Sequence, residues 1–134
     1  MDVLIDTCVI VDVLTKREPF FGSSKKVLDL VANSKLNGCL AATSIKDIYY
    51  LLHKRNHSDE LSRQAIHILF DIFSVLDVTY EDCVNALAKD VSCDYEDAIL
   101  IECANRYSLD AIITRDKSGF GNSKIPVLLP EEIK

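Results

Sequence analysis

The sequence contains no apolar run of the roughly 18 residues that a membrane-spanning helix needs, and no signal peptide opens it. Its five cysteines form no Cys-x-x-Cys pair, and their number is odd. Several of them lie inside apolar runs, as small buried side chains of a reducing compartment do. These absences predict a cytoplasmic protein without a membrane span.

An excess of positive charge is also lacking, since the formal net charge is −6. This balance argues against general electrostatic capture of nucleic acid, because binding to phosphates depends on Lys and Arg. A local basic patch or a bound metal ion could still reverse the sign at one site. The negative net charge therefore leaves room only for a local nucleic-acid site, at a basic patch or a bound metal ion.

The 134 residues predict one domain, 1–134, since no repeat, linker or low-complexity segment divides them. Apolar runs with turn signals predict β-strands at residues 3–5, 39–44, 75–78, 111–114 and 127–129. Helical spacing predicts helices at residues 9–14, 23–35, 45–55, 58–72, 79–88 and 94–108, with a loop at 18–22. Strands alternating with helices indicate a three-layer α/β fold around a parallel sheet.

Helix starts are predicted from polar residues that can accept backbone N–H groups, at Ser23, Ser58, Thr79 (with Asp82) and Asp94. Pro130 suits the first residue of a terminal turn. Asp97, three residues after Asp94, could complete an acidic capping box. However, it falls on the same arc as Leu100 and Ile101, the face expected to be buried. A carboxylate there is costly unless it is paired or holds a metal. Capping alone remains an equal alternative.

Four acidic residues are candidates for a site at the carboxyl ends of the strands, where ligands of parallel sheets bind. Asp6 ends the first strand, Asp47 lies in the first turn of the helix after the second, and Asp116 follows the fourth. Asp97 lies at the start of the helix that precedes the fourth strand, and such a helix is expected to start at the edge of the sheet opposite to Asp6. Topology alone therefore does not bring Asp97 into the cluster.

Several stretches resemble the PIN-domain family, in particular its VapC-type toxin ribonucleases. They are VLIDTCVIVDVL, TSIKDIYYLLHKR, DYEDAILIECA, AIITRDKSGF and IPVLLPEEI. They follow the order and approximate spacing of that family across essentially the whole chain. The combination is specific, although each stretch alone is weak.

The resemblance implies the strand order 3-2-1-4-5 and an acidic groove that holds Mg²⁺ or Mn²⁺. It carries over Asp6, Asp97 and Asp116 as metal-binding catalytic residues. Asp47 is carried over as a fourth catalytic residue, where the family often has Glu, whose side chain is one methylene longer. Small hydroxyl side chains that could orient carboxylates or water match at Thr7, Ser44 and Thr114.

The implied function is a metal-dependent ribonuclease that cuts single-stranded RNA, in the context of a bacterial toxin–antitoxin pair. Hard divalent cations prefer oxygen ligands, and a metal-bound water can attack a phosphodiester. The expected protein partner is an antitoxin that inserts an Arg in place of the cation and anchors a helix around Phe20 and Phe21. A second copy of the chain, in a homodimer, is a further candidate partner.

Two other classes of function compete with this interpretation. A PIN-like module with an altered acidic set could bind RNA or protein without cutting. A phosphoryl-transfer enzyme or receiver domain could use a similar sheet, but Asp6-Thr7-Cys8 lacks the Asp-x-Asp of a dehalogenase-type phosphatase. A receiver would need an acidic pair after the first strand and a phosphoacceptor where Thr79 stands. Covalent catalysis is not indicated, since Ser-x-x-Lys and nucleophile-elbow motifs are absent.

Simpler roles remain open for individual residues. Asp6 could only cap a helix, and Asp47 could be an exposed helical acid. Lys54 and Arg55 either complement a helix C-terminus or contact RNA, whereas Arg115 and Lys117 are better placed beside the groove. Tyr49 and Tyr50 favour core packing over base stacking. The acids expected on the solvated surface are Asp12, Asp77, Asp90 and Asp110.

Overall fold

The central sheet has five parallel strands in the order β3-β2-β1-β4-β5, which confirms the predicted order. The computed structural model describes residues 1–88, 94–121 and 123–134. In register, Leu4 of the central strand lies opposite Cys39 on one side and Ile112 on the other. The strands are β1 (Asp2–Ile5), β2 (Asn37–Ala41), β3 (Ser74–Leu76), β4 (Ala111–Ile113) and β5 (Val127–Leu128).

Helices cover both faces of this sheet and complete the predicted three layers. One core joins Val3 and Ile5 to the first four helices, and a second joins Leu4 to the last two. Within the described residues no helix is long and apolar enough to cross a membrane. The helices are α1 (Thr7–Leu14), α2 (Phe21–Ala32), α3 (Ala42–Asn56), α4 (Asp59–Ile72), α5 (Tyr80–Ala86) and α6 (Tyr95–Arg106), followed by 3₁₀ turns at Lys117–Phe120 and Pro130–Glu132.

Three of the predicted caps are confirmed, because capping depends on local spacing. Ser58 accepts the backbone N–H of Leu61 at 3.1 Å. Thr79 and Asp82 form a reciprocal capping box, and Asp94 caps α6. Pro130 is also the first residue of its terminal turn, as predicted.

The starts of α2 and α3 differ from the prediction. Helix α2 begins at Phe21, so Ser23 lies inside it and donates its hydroxyl to the Phe20 carbonyl at 3.3 Å. Strand β2 ends at Ala41, and α3 begins at Ala42 without a side-chain cap. Residues 43 and 44, predicted to end the strand, therefore belong to the first turn of α3. Because no side-chain cap marks this boundary, it could not be predicted from the sequence.

Asp12 was predicted on the solvated surface, and this was wrong, because its side chain is 1% exposed. Arg115 donates from Nε to Asp12 Oδ2 at 2.7 Å and from Nη2 to Oδ1 at 3.3 Å. The guanidinium also lies 4.2 Å from the centre of the Phe20 ring. A buried carboxylate requires such a partner, and this partner lies 103 positions away in sequence.

Of the other acids predicted on the solvated surface, Asp77 and Asp110 are exposed as predicted, and Asp90 lies outside the described residues.

An ion pair between the buried Asp82 and the partly exposed Arg106 connects the start of α5 to the end of α6. Arg106 donates from Nε to Asp82 Oδ1 at 3.1 Å and from Nη2 to Oδ2 at 2.9 Å, and Oδ2 also accepts the Thr79 N–H at 3.0 Å. The Arg106 guanidinium lowers the pKa of the Asp82 carboxyl below its ordinary value. The charged form of Asp82 is therefore the form that the folded state favours.

We expect Asp82→Asn to lower the free energy of unfolding at pH 7 by about 2 kcal/mol, because Arg106 would lose its charged partner. Since the folded pKa is lowered, the contribution of the pair is present above about pH 4 and is lost as the pH falls further. Urea unfolding at pH 7 and pH 3 measures this, and the difference between variant and parent should shrink at pH 3. Asp29→Asn, in the exposed Lys25–Asp29 pair, is the control and should change little. An equal difference at both pH values would contradict the prediction.

Candidate active site

A pocket of about 450 Å³ opens at the carboxyl ends of the strands, where the sequence predicted the site. Three elements form it: the end of β1 with the start of α1, the first half of α3, and the start of α6. Its lining residues are Asp6, Thr7, Thr43, Ser44, Lys46, Asp47, Tyr50, Leu51, Glu96, Asp97, Ile99 and Leu100. The structure thus brings three of the four predicted acids to one pocket.

Asp6 is held by both of its carboxylate oxygens. Oδ1 accepts the Thr7 N–H at 2.8 Å, which caps α1, and Oδ2 accepts the Thr114 hydroxyl at 2.8 Å. The Asp6 backbone N–H donates to the Ile113 carbonyl at 2.9 Å, which fixes the residue against β4. Burial, with a smaller contribution from Asp116, raises the pKa of the Asp6 carboxyl. Asp6 is therefore a helix cap and also a buried acid that faces the pocket.

Asp97 lies at the same edge of the sheet as Asp6, so the expectation from topology was wrong. Helix α6 ends at Arg106 and β4 begins at Ala111, so the chain reverses direction over a short connection. A helix that runs antiparallel to the strands must begin at their carboxyl ends. Burial and then the charge of Asp6 are the largest causes that raise the pKa of Asp97 to about 7. The two carboxylates thus repel each other across the pocket.

Gly119 is in close contact with the Asp97 carboxylate. A Cβ atom at this position would lie 2.0 Å from Asp97 Oδ2 and 3.1 Å from Cγ, far inside van der Waals contact. Only glycine leaves room for the observed position of Asp97. Sequence reasoning placed Gly119 merely in a loop, since no local pattern reports a contact between residues 97 and 119.

Asp116 lies outside the pocket lining and is exposed to solvent. Its Oδ1 accepts the Ser118 N–H at 3.2 Å and thereby caps the 3₁₀ turn that carries Gly119. The Asp116 N–H donates to the Thr114 hydroxyl oxygen at 3.1 Å, and that hydroxyl binds Asp6. Asp116 also raises the pKa values of Asp6 and Asp97 by charge repulsion. It therefore acts on the pocket through its charge and through Thr114.

Asp47 lies on the α3 wall of the pocket and is exposed. Because α3 begins at Ala42, Asp47 is in the second turn of the helix rather than in the first turn as predicted. Lys46 Nζ lies 3.7 Å from Asp47 Oδ1. The exposure of Asp47 agrees with an exposed helical acid, and its position on the pocket wall agrees with a catalytic residue.

Of the predicted supporting residues, Thr7 and Ser44 line the pocket, and the Thr114 hydroxyl donates to Asp6.

The predicted RNA-contacting cations lie outside the pocket lining. Arg115 is paired with the buried Asp12, and Lys117 Nζ contacts Glu132 Oε1 at 2.7 Å. Lys54 and Arg55 are exposed in the last turn of α3, outside the pocket lining. Lys46, which the sequence did not single out, is the cation on the pocket wall.

The donor chemistry of the pocket suits a hard divalent cation. Across residues 1–88, 94–121 and 123–134, no group of three or more His, Cys, Asp or Glu side chains is arranged to hold a metal ion. Mg²⁺, however, typically binds through one or two carboxylates and keeps several waters. Asp6 and Asp97 could provide such a pair, and a cation would offset the charge of Asp6, which after burial is the largest cause that raises the pKa of Asp97.

Comparison with known protein families identifies the chain. The family model described as PIN domain matches residues 2–118. The chain belongs to the PIN domain family. No curated protein gives a significant match.

Solved structures share the fold of this PIN domain over nearly its whole length. VapBC2 from Rickettsia felis, bound to a promoter DNA fragment, matches with a TM-score of 0.73 and 14% identity, covering 96% of this chain and 98% of that one. FitAcB from Neisseria gonorrhoeae matches at 0.71 and 18%, covering 98% and 99%. VapC20 from Mycobacterium tuberculosis, a toxin that cleaves the sarcin-ricin loop, matches at 0.69 and 15%, covering 89% and 95%. At these low identities, the TM-scores and coverages establish a common fold alone.

Proposed function

We propose that this PIN domain is a divalent-metal-dependent endoribonuclease and the toxin of a toxin–antitoxin pair. The observation that carries the proposal is the pair Asp6–Asp97, two carboxylates from distant segments that repel each other in one pocket. Solved structures of the same fold include a toxin that cleaves the sarcin-ricin loop and a toxin–antitoxin complex from Klebsiella pneumoniae, and this supports the proposal.

In this mechanism Asp6 and Asp97 would hold Mg²⁺ or Mn²⁺, with Asp116 as a further acid that adds negative potential. When bound, the metal would supply an activated water and stabilise charge on the phosphate. The Thr114 hydroxyl orients the Asp6 carboxylate by donating to it. Gly119 has no side chain that would displace the Asp97 carboxylate. Asp47 and Ser44 on the α3 wall orient water or RNA within the pocket.

We expect Mg²⁺ or Mn²⁺ to raise the melting temperature of the protein and to support cleavage of a labelled single-stranded RNA. Excess EDTA should reverse both effects, because the cation binds the folded state and relieves the carboxylate repulsion. Calorimetry or thermal fluorescence reports binding independently of cleavage. Ca²⁺ provides a control for general ionic effects, and monovalent salt at equal ionic strength provides another. Full cleavage in excess EDTA would overturn the metal-dependent mechanism.

A PIN module that binds RNA or protein without cutting is the second candidate function. It is favoured by Asp47, whose short side chain is exposed and lies beside Lys46 instead of reaching into a ligand cluster. A rise in melting temperature on adding the metal, without cleavage of any RNA, would support this candidate over the nuclease.

An antitoxin is the protein partner that the proposal requires, and an Arg from it could enter the acidic pocket. The anchor predicted around Phe20 and Phe21 needs correction, because both side chains are half buried. Exposed apolar side chains lie instead on α4, at Leu61, Ile68 and Phe70. A homodimer remains part of the proposal, and size-exclusion chromatography with light scattering tests it.

A further inference from the structure

Tyr50 is an exposed aromatic side chain on the pocket wall, contrary to the core packing predicted for it. It is 61% exposed and lines the same pocket as Asp6 and Asp97. Its neighbour Tyr49 is different, because that hydroxyl binds Asp59 and that ring stacks on His53 with centroids 5.7 Å apart. Among the described residues no hydrogen bond holds the Tyr50 hydroxyl. The fold therefore leaves the Tyr50 ring available to a ligand.

The pocket has two chemically distinct sides. Asp6, which follows β1, and Asp97 at the start of α6 form an acidic side, while Tyr50 and Leu51 lie on α3 beside Asp47. Ile99 adds apolar surface from α6. Its volume of about 450 Å³ lies within the usual range of small-ligand sites. Lys46, one helical turn before Tyr50, places a positive charge on the same face of α3. A planar apolar group attached to a phosphate matches this combination.

We propose that Tyr50 is a stacking platform for the nucleobase next to the scissile phosphate, with Lys46 close to the neighbouring phosphate. The inference rests on the proposed nuclease function and specifies its substrate as RNA with an unpaired base at the cleavage site. A base within a duplex is already stacked on both faces, so it cannot lie on Tyr50 without being extruded. Base–aromatic stacking is tolerant of sequence, so the subsite selects for unpaired structure rather than for one base.

Steady-state cleavage by four variants tests the subsite. Tyr50→Ala removes the ring, Tyr50→Leu keeps apolar bulk without an aromatic face, and Tyr50→Phe keeps the ring and removes the hydroxyl. Tyr80→Ala is the matched control, because Tyr80 is 78% exposed and lies on α5 outside the pocket. Each variant is assayed on a single-stranded RNA and on the same RNA annealed to its complement, and its melting temperature is checked.

We expect Tyr50→Ala and Tyr50→Leu to raise KM for the single strand by about 10-fold or more, with a smaller change in kcat. Tyr50→Phe and Tyr80→Ala should match the parent, and the parent should prefer the single strand. An unchanged KM in Tyr50→Ala would overturn the proposal. An equal loss in Tyr50→Phe would also overturn it, since the hydroxyl rather than the ring would then make the contact.

Binding separates this inference from the proposed function. If the parent protein does not cleave RNA, fluorescence anisotropy with a labelled single strand and Mg²⁺ still measures the role of Tyr50. Weaker binding by Tyr50→Ala but not by Tyr50→Phe would support the subsite while the nuclease proposal fails. No RNA binding, or equal binding by both variants, would overturn the subsite and leave Tyr50 as a candidate for contact with a protein.

Discussion

Replacing Asp6 by Asn is expected to lower the rate of RNA cleavage by about 100-fold or more while the protein remains folded. Asn keeps the shape of the side chain and caps helices as well as Asp does, so its oxygen can still accept the Thr7 N–H. Thr114 can rotate its hydroxyl to accept from the new amide, which preserves the second contact. The change therefore removes one charge from the pocket and little else.

Stability and cation binding distinguish this prediction from a folding defect. Burial raises the pKa of Asp6, so the folded state disfavours its charge, and Asp6→Asn should melt at the same temperature as the parent or above it. The rise in melting temperature on adding Mg²⁺ or Mn²⁺ should be lost. Asp71→Asn makes the same substitution at an exposed residue of α4 outside the pocket, and it should retain both activity and cation binding.

The same variant tests the toxin role in cells. Expression of the parent chain should arrest growth, whereas expression of Asp6→Asn, or of the parent together with an antitoxin encoded beside it, should permit growth. Cleavage at the parental rate by Asp6→Asn would show that the carboxylate is only a helix cap. Normal growth with the parent chain alone would remove the toxin role and leave the enzyme to be judged in vitro.

Gly119→Ala is expected to reduce cleavage by about 10- to 100-fold with little loss of stability. The new methyl group would lie 2.0 Å from Asp97 Oδ2, so one of the two must move. The end of the Asp97 side chain can rotate more easily than the backbone of the 3₁₀ turn can shift. A displacement of about 1 Å in a catalytic group can cost about 100-fold in rate. The loss should therefore appear in activity and in cation affinity.

Gly121→Ala is the matched control, because it lies two residues away in the same segment. Its Cβ would meet no described atom closer than the Ser118 carbonyl oxygen at 3.8 Å. We expect this variant to cleave RNA and bind cations as the parent does. If Gly119→Ala instead lowers the melting temperature strongly and keeps cation binding, then Gly119 supports the fold and does not position Asp97.

Features that depend on local spacing or on the family motifs could be predicted from the sequence. The alternation of apolar runs with helical patterns predicted the parallel three-layer sheet, and the resemblance supplied its strand order. Caps at Ser58, Thr79 and Asp94 followed from neighbours two or three residues away. Asp6 could be placed at the edge of the sheet because it directly follows a buried strand.

Contacts between residues that are distant in sequence could be read only from the folded protein. Arg115 forms an ion pair with Asp12, 103 positions away, so its charge neutralises a buried carboxylate. Gly119 leaves room for Asp97 from a turn that follows a different strand. Tyr50 faces the pocket while Tyr49 is tied to α4, although both lie on one helix. Local periodicity describes one helix or strand at a time, whereas burial, pKa and access to a ligand depend on the elements packed against it.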